Sequence, residues 1–188
     1  ALNNLSQATS VTLRGYDSFG VIRDEVELEL AAERVTRVQL DQVFGNQDFA
    51  FLKLDRPESV QLTYGYEGKD GMSASSPYSP NAPQGLNFLV TPSHVASVFD
   101  GLVVTGYHAV GLSFQIEFLD GAGDLISNSL ITDPAKKVVL SLSDDPNYAQ
   151  SELIRITSND PITLVHLRRL ILAGGTEYLF PVQPQLMP

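Results

Sequence analysis

The sequence predicts an all-β protein built as two tandem antiparallel β-sandwich repeats. Three observations carry this: apolar residues alternating with polar ones along short runs, turn signals spaced ~8 to 12 residues apart, and a pattern at Ser113 to Leu142 with a degraded copy at Ser10 to Leu40. In the later copy Phe114, Ile116 and Phe118 alternate with Gln115 and Glu117, then Asp120-Gly121-Ala122-Gly123 turns the chain into a strand beginning at Leu125. In the earlier copy Val11, Leu13 and Gly15 alternate with Thr12 and Arg14, then Asp17-Ser18-Phe19-Gly20 turns it towards Ile22. One sandwich fused from two pseudo-symmetric halves is the alternative architecture.

The elements follow in order. Leu2 to Thr9 is an edge strand or ordered arm. From Ile22 to Leu30, Val26, Leu28 and Leu30 share one face and Glu25, Glu27 and Glu29 the other, so strict alternation outweighs the helical preference of Glu, Leu and Ala. Val35, Val38 and Leu40 begin a third strand, and Leu40 to Gly45 reads as one helical turn closed by glycine. Phe49 to Leu54 is a fourth strand, and a fifth carries Val60, Leu62, Tyr64 and Tyr66 in alternation. Residues 1–67 form the first repeat. Residues 68–85, rich in Ser, Pro and Gly without apolar periodicity, read as a linker or long loop.

Residues 86–188 form the second repeat. Leu86 to Val90 and Leu102 to Tyr107 are strands, with Ser93 capping a short helix between them over His94 to Phe99. The order then repeats that of the first copy: Leu125 to Ile131, a turn at Asp133, Val138 to Leu142, a loop, Leu153 to Ile156, a turn at Ser158 to Pro161, and Ile162 to Leu172. After one deletion Leu52, Leu54, Val60 and Leu62 align with Ile154, Ile156, Ile162 and Leu164. Thr176 to Val182 is the final strand.

Composition narrows the function. With 188 residues and 43% hydrophobic content the chain can build a substantial core. Twelve Lys and Arg against 22 Asp and Glu, a net charge of -10, repel nucleic acid and anionic lipid, and the adjacent pairs Lys136-Lys137 and Arg168-Arg169 are too few for a binding stripe. No cysteine is present, so disulfides, thiolate metal sites and a cysteine nucleophile are out. No apolar run approaches the ~18 residues that cross a bilayer, and membrane insertion is not expected.

The succession of alternating strand, Asp-x-x-Gly turn, alternating strand, valine-leucine strand, and a strand ending in Ile156-Thr157-Ser158-Asn159-Asp160-Pro161-Ile162 resembles the Ig-like or fibronectin-like repeats of secreted bacterial surface proteins. The resemblance spans Ser10 to Tyr66 and Ser113 to Leu170, weakening where Asp55 to Ser59 replaces the Ser-Asn-Asp-Pro turn. It implies an exported, extracellular, cell-surface or periplasmic module for spacing, adhesion or ligand display.

The chemistry-bearing residues are sparse. Asp17 and Asp120, with Asp124 nearby, are candidate calcium ligands, although Asp first and Gly fourth is also the preference of a type I turn needing no metal. Asp144, Asp145 and Asn147 form a second oxygen-rich loop. His108 and His166 fall on expected strands of one repeat but at no ligand spacing. No Gly-x-Ser-x-Gly, Ser-x-x-Lys or His-Glu-x-x-His motif occurs, and an enzyme is not expected. Tyr64 and Tyr66, on one face of a strand, are a candidate platform for stacking sugar rings, against the alternative that they close the core. The expectation is a non-enzymatic structural or protein-interaction module; a carbohydrate-binding module recognising a surface polysaccharide, with or without calcium, is the alternative.

Overall fold

A computed structural model describes residues 2–3, 6–45, 49–55, 60–67, 73–78, 84–106, 111–173, 175, 177–182 and 184–187. The protein is all-β with open antiparallel sheets, consistent with a β-sandwich, and a single five-residue helix among the described residues. The chain divides into two compact units, Ala1–Tyr64 with Pro77–Pro80, and Gly65–Ser76 with Asn81–Pro188.

In the first unit, β1 (Leu2–Asn3) is followed by β2 (Thr9–Tyr16) and β3 (Ile22–Leu30), which pair as a hairpin. The helix α1 (Leu40–Phe44) ends at Gly45, whose φ of 64° lies in the left-handed region that glycine enters without steric cost. β4 (Phe51–Asp55) takes the other side of β2, giving the order β3-β2-β4. The strand expected from Val35 shrinks to an isolated bridge at that residue: residues 36–39 are irregular and the Val35 side chain is exposed. β5 (Val60–Glu67) and β6 (Ser73–Tyr78) each run across the division of the chain at Tyr64 and Ser76; β5 pairs with β1, Asn3 opposite Val60, in the order β1-β5-β6. The expected linker therefore contains a strand that no apolar alternation marks.

Alternation places Val11 and Leu30 inward, where they pack with Val60 in a small core. The fully buried Asn3 spends its amide on the carbonyls of Gln7, Leu30 and Ala31, so a polar side chain ties the arm to the end of β3.

In the second unit the chain continues through β7 (Gln84–Val90), β8 (Val98–Thr105), β9 (Leu112–Leu119), β10 (Leu125–Asp133), β11 (Lys137–Ser141), β12 (Leu153–Ile171), β13 (Glu177–Val182) and β14 (Gln185–Leu186). β12 organises it. Its first half, to Ser158, lies between β9 and β7; its second half, from Thr163, pairs with β8, and residues 166–171 with β13. The turn expected at Ser158 to Pro161 is instead the passage between these two settings. Asn159, Asp160 and Pro161 are exposed there, the register with β7 jumps from Thr157 to Ile162, and Pro161, which has no N–H to give a ladder, falls inside the jump.

The inward residues of both halves share one core: Ile154 and Ile156 before the passage, Ile162 and Leu164 after it, with Phe88, Leu102, Val104, Phe114, Ile116 and Phe118. The helix expected over His94 to Phe99 is absent, and β8 begins at Val98 instead. The Ser93 N–H is committed to side chains on β8 and the 3-10 turn Tyr148–Gln150.

Candidate functional site

Along β8 the inward positions are Asp100, Leu102 and Val104; along the second half of β12 they are Ile162, Leu164 and His166, with Arg168 next in phase. The pairing sets Asp100 directly opposite Arg168 and Leu102 opposite His166, so one carboxylate closes an otherwise apolar stripe against an arginine and a histidine. Arg168 Nε donates to Asp100 Oδ1 at 2.8 Å, and its Nη2 donates to the Thr91 carbonyl at 2.5 Å. His166 Nε2 stands 3.0 Å from the same Oδ1 without the alignment of a full hydrogen bond, so that contact is electrostatic.

The other oxygen is equally engaged. Tyr148, carried by the 3-10 turn, places its hydroxyl 2.5 Å from Asp100 Oδ2, and the Ser93 N–H donates to Oδ2 at 2.8 Å. The backbone is tied as well: the Asp100 N–H donates to Ser143 Oγ at 2.7 Å, and the Leu142 N–H donates to the Asp100 carbonyl at 2.9 Å. Burial would raise the Asp100 pKa; the contacts with His166, Arg168, Tyr148 and the Ser93 N–H outweigh it and hold the carboxyl well below its ordinary range. Burial, and then its bond to the Asp100 carboxylate, push the Tyr148 phenol up to about 12.

Chemically this is a closed ionic lock. The Asp100 and His166 side chains are 0% and 1% exposed, so neither is open to solvent. Two shallow clefts lie on the unit. One, of about 350 Å³, lies over the lock, lined by Ser93, His94, Val95, Phe99 and Tyr148 among others. The other, of about 410 Å³, lies on the outward sheet face, where Thr157 stands between Asn87 and Gln115 in one row and Arg155 beside Glu117 in the next, with Met187 at the side. Arg155 Nε donates to Glu117 Oε2 at 2.5 Å. Its only lining carboxylate is already paired, so the cleft has hydrogen-bonding groups for a ligand and no acid and base couple for hydrolysis.

The sequence candidates are placed as follows. Asp17 Oδ1 accepts from the N–H groups of Phe19 and Val21, each at 2.9 Å, and Arg23 holds Oδ2. Asp120 Oδ1 accepts from Ala122 and Asp124 N–H, again at 2.9 Å each. Each Asp carbonyl accepts from the Gly three residues on, Gly20 at 3.1 Å and Gly123 at 3.0 Å, as a type I turn requires. Among the described residues no three His, Cys, Asp or Glu group to hold a metal. Asp145 Oδ1 accepts from Asn147 in its own loop. Tyr64 and Tyr66 lie on β5 with their side chains outside the described residues, and His108 lies outside them altogether.

Sequence reading singled out His166 and Arg168 without joining them, and missed Asp100 and Tyr148. The available signal was phase: Asp100 stands two and four residues before Leu102 and Val104, and His166 two after Leu164, so each titratable side chain sits on the apolar face of its strand.

No protein-family model matches the chain, and no curated protein or solved structure matches it.

Proposed function

We propose that the chain is a non-enzymatic module of two tandem β-sandwich repeats, exported to the bacterial surface or periplasm, whose work is structural support or protein–protein contact. The observation that carries the reading is the sealing of the Asp100 and His166 side chains, since the convergence of Asp100, His166, Arg168 and Tyr148 is used up inside the fold. The repeat reading is supported by the two Asp-x-x-Gly hairpins, which share the same pattern of turn hydrogen bonds. No described helix is long and apolar enough to cross a membrane. A panel of glycoside, ester and phosphoester substrates tests it: no turnover is expected, and turnover that disappears in Asp100→Asn while the fold persists overturns it.

The outward cleft favours a second reading, a carbohydrate-binding module. Two amides, a hydroxyl and an ion pair on a rigid three-strand face are suited to the hydroxyls of a polysaccharide. Binding on a glycan array that is lost in Gln115→Ala with Thr157→Ala assigns the sugar to this face. Loss in Tyr64→Ala with Tyr66→Ala instead assigns it to β5.

A further inference from the structure

The outward cleft of the second unit is built on strands in the order β10-β9-β12-β7-β14, and their register lines its side chains up across the sheet. Thr157 on β12 stands opposite Asn87 on β7 and Gln115 on β9, and Gln115 stands opposite Leu130 on β10. At the other end the Met187 N–H donates to the Asn87 carbonyl at 3.0 Å, and Met187 lines the cleft. The row is therefore amide, hydroxyl, amide, with an apolar residue beyond each amide; Leu130 is 71% exposed. Among the described residues no hydrogen bond or ion pair occupies the side chains of Asn87, Thr157 or Gln115, whereas Arg155 and Glu117 in the next row are spent on each other.

We propose that this row binds a neutral, extended β-linked polysaccharide, its chain lying across the strands with one sugar ring over each; the proposal rests on the carbohydrate-binding reading and narrows its ligand. Spacing selects the linkage. Neighbouring strands lie ~4.8 Å apart, so Asn87, Thr157 and Gln115 recur at nearly the advance per sugar of an extended β-linked glycan, an interval that coiling α-linked chains do not keep. The side chains select hydroxyls: each amide and the threonine hydroxyl both donate and accept, as a ring hydroxyl does, and Leu130 and Met187 meet the C–H faces of the rings. Charge selects against acidic glycans, because Arg155 is neutralised by Glu117 and a protein of net charge -10 repels a polyanion.

Affinity gel electrophoresis of the intact chain tests it, with mixed-linkage β-glucan as the neutral extended probe, pullulan as the α-linked one and polygalacturonate as the acidic one. Retardation is expected in β-glucan alone, and it should persist from about 20 mM to about 1 M NaCl because no charge pair is made with the ligand. Asn87→Asp with Gln115→Glu keeps the shape of both side chains while removing their N–H donors, and should weaken binding at least about tenfold. Thr157→Val removes only the hydroxyl, suits a strand, and should weaken it about fivefold. Equal or stronger retardation by pullulan or polygalacturonate, no retardation by β-glucan, or β-glucan binding indifferent to both variants overturns the proposal. The carbohydrate-binding reading outlives each of these results if the glycan array shows binding and falls only if the array is blank, so the two failures are told apart.

Discussion

Asp100 and Arg168 face each other across β8 and β12, and this pair ends the apolar stripe of the second unit with a buried charge neutralised in place. The carboxylate is sealed while Arg168 remains 21% exposed, so the arginine brings the charge and β8 keeps the water out. An ion pair of this kind is costly to break, because removing one partner leaves the other poorly solvated. Asp100→Asn is expected to cost about 3 kcal/mol in urea denaturation, with little change in the far-ultraviolet spectrum.

Acid should unfold the protein through the same group. The Asp100 pKa is lower folded than its ordinary value of 3.8, so the unfolded chain binds the proton first as pH falls. The stabilisation is complete above 3.8 and drains away as pH drops below it towards the folded-state value. In denaturation midpoints measured down through this window, the wild type loses more stability than Asp100→Asn, and parallel curves would refute the assignment.

At the alkaline end the sign reverses. The Tyr148 phenol is raised to about 12 from an ordinary 10, so between these values the unfolded chain gives up a proton that the folded one keeps. Stability falls as pH rises through that window. Tyr148→Phe should abolish this tyrosine's part of the slope and cost about 1 to 3 kcal/mol at neutral pH, since Asp100 Oδ2 loses a buried donor.

The hairpin turns make a matched test. Gly20 and Gly123 have φ of 80° and 87°, a region that side-chain-bearing residues enter at a cost, so alanine at either should destabilise by about 1 kcal/mol. Gly121, in the same turn without positive φ, meets only the Glu152 Cγ at 3.5 Å and should accept alanine with almost no change. Thermal midpoints of the three variants check this.

Gly111 is constrained by space rather than by torsion. A Cβ there would stand 2.7 Å from the Asp133 carbonyl oxygen, and backbone cannot rotate away as a side chain can. Gly111→Ala should therefore cost about 1 to 3 kcal/mol, read as a lowered denaturation midpoint.

Much of the fold was legible wherever alternation spoke. Phe114, Ile116 and Phe118, Val26 to Leu30, and Ile154 with Ile156 announced their strands, and the Asp-x-x-Gly turns announced the hairpins. Legibility ended where partners decide. β6 has no apolar period and is defined by pairing, the strand expected from Val35 is reduced to an isolated bridge at that residue, and β12 runs through Asn159-Asp160-Pro161 because it changes partners there. The lock was half visible: His166 and Arg168 were noticeable by type, but Tyr148 reaches Asp100 from 48 residues away in sequence, a proximity that periodicity does not encode.

The most direct measurement is a carbon-13 NMR titration of the Asp100 side-chain carboxyl in the folded protein. A carboxylate locked between Arg168, His166 and Tyr148 shows no titration step on descending through pH 3.8 and stays ionised until the fold gives way. A reversible step at or above 3.8 in the intact fold would show that the carboxylate is neither sealed nor paired, and would return Asp100 to the candidates for chemistry.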